Sequence, residues 1–164
     1  MAKDKHVSET PATQFLKKHR VAYSEHSYDY IDHGGATEAA KQLDLDLHQV
    51  AKTLIMEDED AQPLMVIMHG DREVSTKNLA RQTAAKKVSP CTPDTAQKHS
   101  GYLVGGTSPF ATRKKMPVWI EAGLLNYPLI YVNGGRRGYL IGVEPSALAS
   151  LLDAKPVNVG LTKS

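Results

Sequence analysis

Residues 50–68 read VAKTLIMEDEDAQPLMVIM, two short apolar runs on either side of four consecutive acidic residues. Short apolar runs bounded by polar turn residues are typical of buried strands. The sequence therefore predicts a hairpin with strands at 50–56 and 64–68 and the acidic residues 57–60 at its tip. Lys52 is the only charged residue inside the first of these strands.

Around this hairpin the sequence predicts helices and further strands that do not alternate regularly. Capping residues and prolines predict helices that begin at Thr10, Thr37, Ser75 or Thr76, Thr92 and Pro145, the second running through Leu43 and the fourth through Lys98. Further strands are predicted at 21–28, 86–89, 101–106, 118–122, 129–133 and 139–143. This order favours an α+β fold with a mixed sheet over a doubly wound fold.

Length and composition are those of a single folded domain. The chain has 164 residues, of which 41% are hydrophobic and 23% charged, with one cysteine. No apolar run approaches the roughly 18 to 20 residues of a membrane-spanning helix, and residues 1–9 lack the apolar stretch of a signal peptide. We therefore expect one soluble, cytoplasmic domain over residues 1–164, without a disulfide framework and with short flexible ends at about 1–8 and 158–164.

Charge is distributed unevenly along the chain. Residues 1–75 hold 8 Lys and Arg against 14 Asp and Glu, whereas residues 76–164 hold 12 against 4. Such an asymmetry indicates an anionic partner for the second half, unless folding interleaves the halves so that their fields cancel. The basic surplus is concentrated at Lys86-Lys87, at residues 113–115 and at Arg136-Arg137.

Two glycine clusters are candidates for ligand binding. Residues 134–138, Gly-Gly-Arg-Arg-Gly, separate two predicted strands, which favours a β-hairpin turn over a dinucleotide loop, since that loop must open a helix. Two arginines on a tight turn can nevertheless bind a phosphate. Residues 105–109, Gly-Gly-Thr-Ser-Pro, are either a simple turn or a loop whose backbone N–H groups bind a carbonyl or carboxylate oxygen.

Conventional catalytic groups are scarce in this sequence. There is no Gly-x-Ser-x-Gly motif, Cys91 has no histidine partner that the sequence identifies, and the seven histidines lack the spacing of a helical metal site. Two interpretations of Lys52 stay open. Its ammonium group either extends to water from a half-exposed face or lies partly buried and binds a carbonyl or phosphate oxygen.

Four segments in combination carry a family resemblance: His26-Ser27-Tyr28, residues 50–54, residues 101–109 and residues 130–138. In this order they resemble the YbaK family of freestanding aminoacyl-tRNA deacylases, which are similar to the editing insertion domain of bacterial prolyl-tRNA synthetase. The resemblance covers about residues 10–153. It implies a mixed, strongly curved β-sheet with flanking helices, and neither a cofactor nor a metal.

The resemblance also implies an activity and partners. Members of this family remove a wrong amino acid from the 3′ end of tRNA, typically cysteine from the tRNA for proline. The implied partners are the acceptor end of the mischarged tRNA and prolyl-tRNA synthetase in a ternary complex. For cysteine, the thiol of the substrate attacks its own ester carbonyl, so the protein needs no nucleophile of its own; for alanine or serine, a bound water would attack.

Site residues follow from the resemblance position by position. It implies catalytic roles for Lys52, Gly105 and Gly106. Substrate-binding roles fall on Tyr28, Thr53, Thr107, Ser108, Pro109, Asn133, Gly134 and Gly135. Separately, the basic groups beside the glycine loops lead us to expect contacts with tRNA from Arg113, Lys114, Arg136 and Arg137. Asn133 stands where members selective for cysteine commonly carry serine.

Two other functions are compatible with the sequence. The first is a binding module that holds an aminoacyl-tRNA, a nucleotide or a synthetase without catalysis. The second is an esterase or nucleotide hydrolase that acts on a small molecule. If the deacylase interpretation is right, the basic groups face the tRNA acceptor end and activity weakens as salt rises.

Overall fold

The computed structural model describes residues 9–162. The helices are α1 (Pro11–Lys18), α2 (Gly35–Leu43), α3 (Thr76–Gln82), α4 (Pro93–Ser100) and α5 (Pro145–Leu152). The strands are β1 (Ser24–Ser27), β2 (Ala51–Asp58), β3 (Pro63–His69), β4 (Arg72–Val74), β5 (Val88–Pro90), β6 (Val118–Glu121), β7 (Ile130–Asn133), β8 (Tyr139–Val143), β9 (Lys155–Val157) and β10 (Gly160–Thr162). A 3₁₀ helix (Ala122–Asn126) connects β6 to β7.

The predicted hairpin is confirmed and forms the centre of the largest sheet. β2 and β3 pair antiparallel from Ala51↔His69 to Glu57↔Pro63, in a five-stranded sheet of order β5-β2-β3-β6-β9. β6 runs parallel to both β3 and β9, so the sheet is mixed, as predicted. β2 extends to Asp58, which shortens the acidic tip by two residues relative to the prediction.

Hydrogen bonding divides the strands among three sheets. β1, β8 and β7 form an antiparallel sheet, and β10 pairs with β4. A parallel bridge between Val50 and Tyr131 joins the three-stranded sheet to the start of β2. The α+β class with mixed strand pairing is confirmed, and the bridge places the β7–β8 turn close to β2.

Local capping explains where most helices begin. The hydroxyl of Thr10 accepts the N–H of Thr13 at 3.1 Å, and Ser75 and Thr92 cap α3 and α4 in the same way. The predicted cap at Thr37 is wrong. The carbonyl of Gly34 already accepts the N–H of Glu38, so α2 begins at Gly35, ahead of the threonine.

The predicted strand at 101–106 is also wrong, because these residues form a loop. Gly101 ends α4 in the left-handed region at φ +84°, and the carbonyl of Leu103 accepts the N–H of Gly106 at 2.8 Å, which closes a turn. Gly105 also has a positive φ, +91°, which a strand does not adopt.

One predicted end is partly structured. Residues 160–162, which were expected to belong to a flexible end, pair with β4 as β10. Residues 158 and 159 are also held in place, since the N–H of Asn158 donates to the side chain of Gln82 and the N–H of Val159 donates to Glu121. The remaining residues of the predicted ends, 1–8 and 163–164, lie outside the described residues.

The five-stranded sheet is covered on both faces. Met65 and Ile67 of β3 belong to the larger apolar cluster, with Phe110, Leu124 and Leu148, whereas the alternate residues of β3 belong to a second cluster. The same alternation along β2 places Ala51, Thr53 and Ile55 on the face of the first cluster, and Lys52 and Leu54 on the face of the second. In the described part of the chain, no helix has the length and apolarity needed to span a membrane.

Candidate functional site

A cleft of about 720 Å³ follows the edge of β2 that faces away from β3. Within residues 9–162, this edge has a neighbouring strand only at its ends: β5 pairs with Met56–Asp58, and Tyr131 of β7 bridges to Val50. Between these two contacts the edge is open. The cleft therefore occupies a gap in the strand pairing.

The open edge directs backbone polar groups into the cleft. At one end the carbonyl of Gln49 accepts the N–H of Tyr131, and at the other the carbonyl of Ile55 accepts the N–H of Cys91. Because successive residues of a strand point their N–H and C=O groups to opposite edges, Ala51 and Thr53 point theirs to the same side as Gln49 and Ile55. A ligand in the cleft therefore meets donors and acceptors of the main chain.

Lys52 and Thr53 supply the polar side chains on this side of the cleft, which we call the strand wall (residues 51–54). The ammonium group of Lys52 is partly buried and donates to the carbonyl of Arg72 at 2.5 Å. Of the two alternatives that the sequence left open, the structure shows the partly buried ammonium. The hydroxyl oxygen of Thr53 is buried and, among the described residues, has no hydrogen-bond partner.

Two loops also contribute to the lining of the cleft, and we call them the loop wall (residues 104–107 and 133–137). Asn133 ties the two loops together. Its side-chain oxygen accepts the N–H groups of Gly135 (2.6 Å) and Arg136 (3.1 Å), and its amide nitrogen donates to the carbonyl of Gly105 (3.1 Å). Arg137 adds a second tie, because its Nε donates to the carbonyl of Val104 at 3.0 Å.

Close packing of the loop wall requires glycine at position 106. A Cβ atom on Gly106 would lie 2.8 Å from the backbone nitrogen of Arg137 and 2.9 Å from the carbonyl carbon of Arg136. On Gly105 it would lie 3.0 Å from the hydroxyl of Tyr30. The loop-wall backbones therefore approach each other more closely than any larger residue permits.

Seven of the fifteen predicted site residues line the cleft, namely Tyr28, Lys52, Thr53, Gly105, Thr107, Asn133 and Arg137. The predicted turn at 134–138 is confirmed as the β7–β8 connection. Behind the cleft lie residues that shape the two loops. Gly106 and Gly134 are buried in close contacts, Ser108 is buried with its hydroxyl accepting the N–H of Phe110, Pro109 is buried, and Gly135 packs against Thr10.

The basic residues are more dispersed than the sequence analysis predicted. Arg137 lines the cleft, with its guanidinium 4.9 Å from the ring centroid of Tyr30. Arg136 instead lies over the ring of Tyr139, which donates to Glu25 on β1. Arg113 and Lys114 are exposed and do not line the cleft. Of the three basic groups, only the Arg136-Arg137 pair therefore contributes a side chain to the cleft lining.

Acidic side chains accompany these cations. Asp32, Glu38 and Glu73 line the cleft together with Lys52 and Arg137. The cleft lining therefore combines both signs of charge.

Sequence reasoning missed two residues that line the cleft and one backbone group that binds Lys52. Tyr30 lies beside Gly105 and under Arg137, and its spacing of two residues from Tyr28 was the one available signal. The carbonyl of Arg72 is a backbone group and leaves no mark on the composition. Cys91 lines the cleft, but burial and, next, the nearby Glu57 carboxylate raise the pKa of its thiol to about 11, so it is not a thiolate at neutral pH.

Two groups of side chains have the composition of metal ligands. In the first, the rings of His48 and His69 stack at 3.6 Å with 10° between their planes, so their in-plane lone pairs do not converge on one ion with Asp71. In the second, Glu57, Cys91 and His99 lie together, and Nε2 of His99 contacts the Glu57 carboxylate at 2.9 Å. This contact is an ordinary hydrogen-bond distance, so the pair is explained without an ion.

Comparison with known proteins identifies the family of this chain. The aminoacyl-tRNA editing domain matches residues 34–151. A protein of Enterococcus faecalis named as a candidate Cys-tRNA(Pro)/Cys-tRNA(Cys) deacylase, EbsC, is 30% identical over 94% of this chain and 95% of its own length. A proline–tRNA ligase of Limosilactobacillus reuteri is 28% identical over 58% of this chain, which corresponds to 17% of the ligase.

The fold has solved counterparts as well. The crystal structure of a candidate trans-editing enzyme for prolyl-tRNA synthetase superimposes with a TM-score of 0.82 at 19% identity, covering 96% of this chain and 99% of that one. The match of the editing domain spans the strand wall and the loop wall alike. The chain therefore belongs to the aminoacyl-tRNA editing domain family, the YbaK-like group that its sequence resembles.

Proposed function

We propose that this protein is a trans-editing deacylase that removes a mischarged small amino acid from tRNA, with cysteine on tRNA for proline as the preferred substrate. The observation that carries the proposal is that Lys52 and the Gly105 loop line the same cleft, within a domain of the editing family. The E. faecalis relative, by its name, supports the choice of cysteine and tRNA for proline.

Lys52 suits the stabilisation of an ester oxygen. An ammonium group has three N–H donors, so it can bind the carbonyl of Arg72 and a substrate oxygen at the same time. The backbone groups of Ala51 and Thr53 and of the loop wall surround the same space. Fixed donors around a developing negative charge are the usual means of accelerating acyl transfer.

The nucleophile in this proposal is the thiol of the cysteine substrate. Its sulfur bonds to the ester carbonyl carbon, the bond from that carbon to the ribose oxygen breaks, and the thiol proton ends on the ribose hydroxyl. The products are uncharged tRNA and a thiolactone, which water then opens to cysteine. The protein itself has only to position the ester and stabilise its oxygen, which agrees with the high pKa of the Cys91 thiol.

The decisive experiment is deacylation of tRNA charged in turn with cysteine, alanine, serine and proline. We expect the wild-type protein to release cysteine fastest, and Lys52→Ala to lower the rate by roughly 100- to 1000-fold, the usual cost of losing an oxyanion donor. Lys155→Ala removes an exposed lysine from β9 and should leave the rate unchanged. A wild-type protein inactive on the whole panel would refute the proposal.

The same experiment separates catalysis from binding. A binding module would hold aminoacyl-tRNA with an affinity that Lys52→Ala does not change, and would show no turnover. Activity toward small esters without the tRNA body would instead indicate a general esterase.

A further inference from the structure

Lys52 is held in place by a turn that lies outside the cleft. Its ammonium group donates to the carbonyl of Arg72, the first residue of β4. Gly70 and Asp71 form the turn that leads from β3 to this residue. The position of the ammonium therefore depends on how this turn is fixed.

One attachment of the turn is to the strand that carries the lysine. The N–H of Gly70 donates to the carbonyl of Val50 at 2.6 Å, two residues before Lys52. There is no room for a side chain here, because a Cβ atom on Gly70 would lie 2.7 Å from the carbonyl oxygen of Leu47. The turn is thus packed directly against the beginning of β2.

A second attachment is an ionic bridge made by Asp71. One carboxylate oxygen accepts Nδ1–H of His48 at 2.7 Å, and the other contacts the guanidinium of Arg72 at 3.0 Å. Burial raises the pKa of this carboxyl, but the hydrogen bond from His48 and the charges of His48 and Arg72 outweigh it, so that the pKa lies below its ordinary value. The carboxylate of Asp71 is therefore ionised at neutral pH.

His48 is itself fixed from several sides. Its ring stacks on that of His69, whose Nδ1–H donates to the carbonyl of His48 at 2.6 Å. Its backbone N–H donates to the carboxylate of Asp46 at 3.0 Å. The chain of contacts from His48 through Asp71 to the Arg72 carbonyl is continuous and ends on the lysine.

We propose that His48 and Asp71 are positioning residues for Lys52: they fix the turn at Gly70-Asp71 so that the Arg72 carbonyl holds the ammonium at its place in the cleft. This inference rests on the proposed function for its effect on rate, but not for its effect on the lysine. Neither residue lines the cleft, so neither is expected to contact the substrate.

The test compares Asp71→Ala with Asp71→Asn. We expect Asp71→Ala to lower kcat for deacylation by at least about tenfold with little change in KM, since a misplacement of 1 Å can cost about 100-fold. Asp71→Asn keeps an acceptor for His48 and should recover most of the rate. Asp60→Ala removes an exposed carboxylate near the hairpin tip and is the matched control.

A second readout observes the lysine directly. In a ¹⁵N-labelled sample at low temperature, NMR can detect the ammonium of Lys52 if its protons are protected, with Lys52→Arg identifying the signal. We expect this signal in the wild type and the Asp60→Ala control, and its loss in Asp71→Ala. If Asp71→Ala does not fold, His48→Ala replaces it in both measurements.

The outcomes separate the two proposals. An unchanged ammonium signal and unchanged kcat in Asp71→Ala would overturn the positioning role. Equal losses in Asp71→Ala and Asp71→Asn, with the ammonium signal retained, would also overturn it and indicate a general structural role. A wild type without deacylase activity whose ammonium signal disappears in Asp71→Ala would refute the proposed function and support the positioning role.

Discussion

The two walls of the cleft are built in opposite ways. The strand wall belongs to a regular strand, hydrogen-bonded to β3 along its length, and contributes side-chain chemistry through Lys52. The loop wall has no strand ladder between its two loops and contributes mainly backbone, held by Asn133 and by contacts that only glycine allows.

This difference shows which structural element suits a functional side chain and which suits functional backbone groups. A charged side chain gains precision from a rigid element, because its base does not move. A surface of backbone N–H and C=O groups needs irregular segments, since regular strands use these groups for pairing. We therefore expect changes in the loop wall to act through its shape, and changes at Lys52 to act through chemistry.

The largest loop-wall effect is expected from Gly106→Ala. The new methyl group meets backbone atoms of Arg136 and Arg137, which cannot rotate away, so the loops must separate. We expect a loss of about 2 to 3 kcal/mol in the free energy of unfolding, typical of overpacking, and roughly 100-fold slower deacylation. Urea denaturation and the deacylation assay measure the two effects.

Gly35→Ala is the matched control for stability. Gly35 has a positive φ of +59° but nothing within 4 Å of a Cβ atom, so this substitution costs only about 1 kcal/mol of backbone strain. Similar stability for the two variants would show that the two loops separate without cost, contrary to the close packing described for the loop wall.

An intermediate effect is expected from Asn133→Asp. The substitution keeps the size of the side chain and the oxygen that accepts from Gly135, but places a second oxygen 3.1 Å from the carbonyl of Gly105. Two acceptors repel, so we expect about tenfold slower deacylation and about 1 to 2 kcal/mol lower stability. The control is Asn126→Asp, at the exposed end of the 3₁₀ helix. If Asn133→Asp were as active as this control, the hydrogen bonds of Asn133 would not be needed to hold the two loops together.

The smallest effect is expected from Arg137→Ala, and it concerns salt. If Arg137 binds a phosphate of the tRNA end, its removal should lower kcat/KM about fivefold at low salt and reduce the slope of log kcat/KM against log salt by about 0.7. Arg136→Ala removes the contact with Tyr139 and should keep the wild-type slope. Equal slopes in all three proteins would mean that neither arginine binds the tRNA backbone.

Sequence patterns predicted the parts of the fold that depend on neighbours along the chain. The hairpin at 50–68, the caps at Thr10 and Ser75 and the turn at 134–138 are local, and all were found. The loop at 101–106 was not, because its apolar residues between glycines imitate a strand, while its real shape is set by contacts with Asn133.

Parts of the site could not be predicted because they depend on contacts between residues that are distant in sequence. Its place as the one charge in an apolar strand and the family resemblance both led to Lys52, but no pattern indicates that the carbonyl of Arg72 accepts from its ammonium, since any residue supplies a carbonyl. Arg136 and Arg137 are adjacent and identical in type, yet they point to different partners because of the turn geometry. The strands β4, β9 and β10 have three residues each, too few for a periodic pattern.

The gap beside β2 also has a consequence for the behaviour of the protein in concentrated solution. An unpaired strand edge is a template for pairing with another chain, and proteins commonly protect such edges with charge or cover. Here β5 and Tyr131 cover the two ends of the edge, and the segment between them carries the charged residue Lys52. We therefore expect this edge to be a poor template for pairing with a second copy of the sheet.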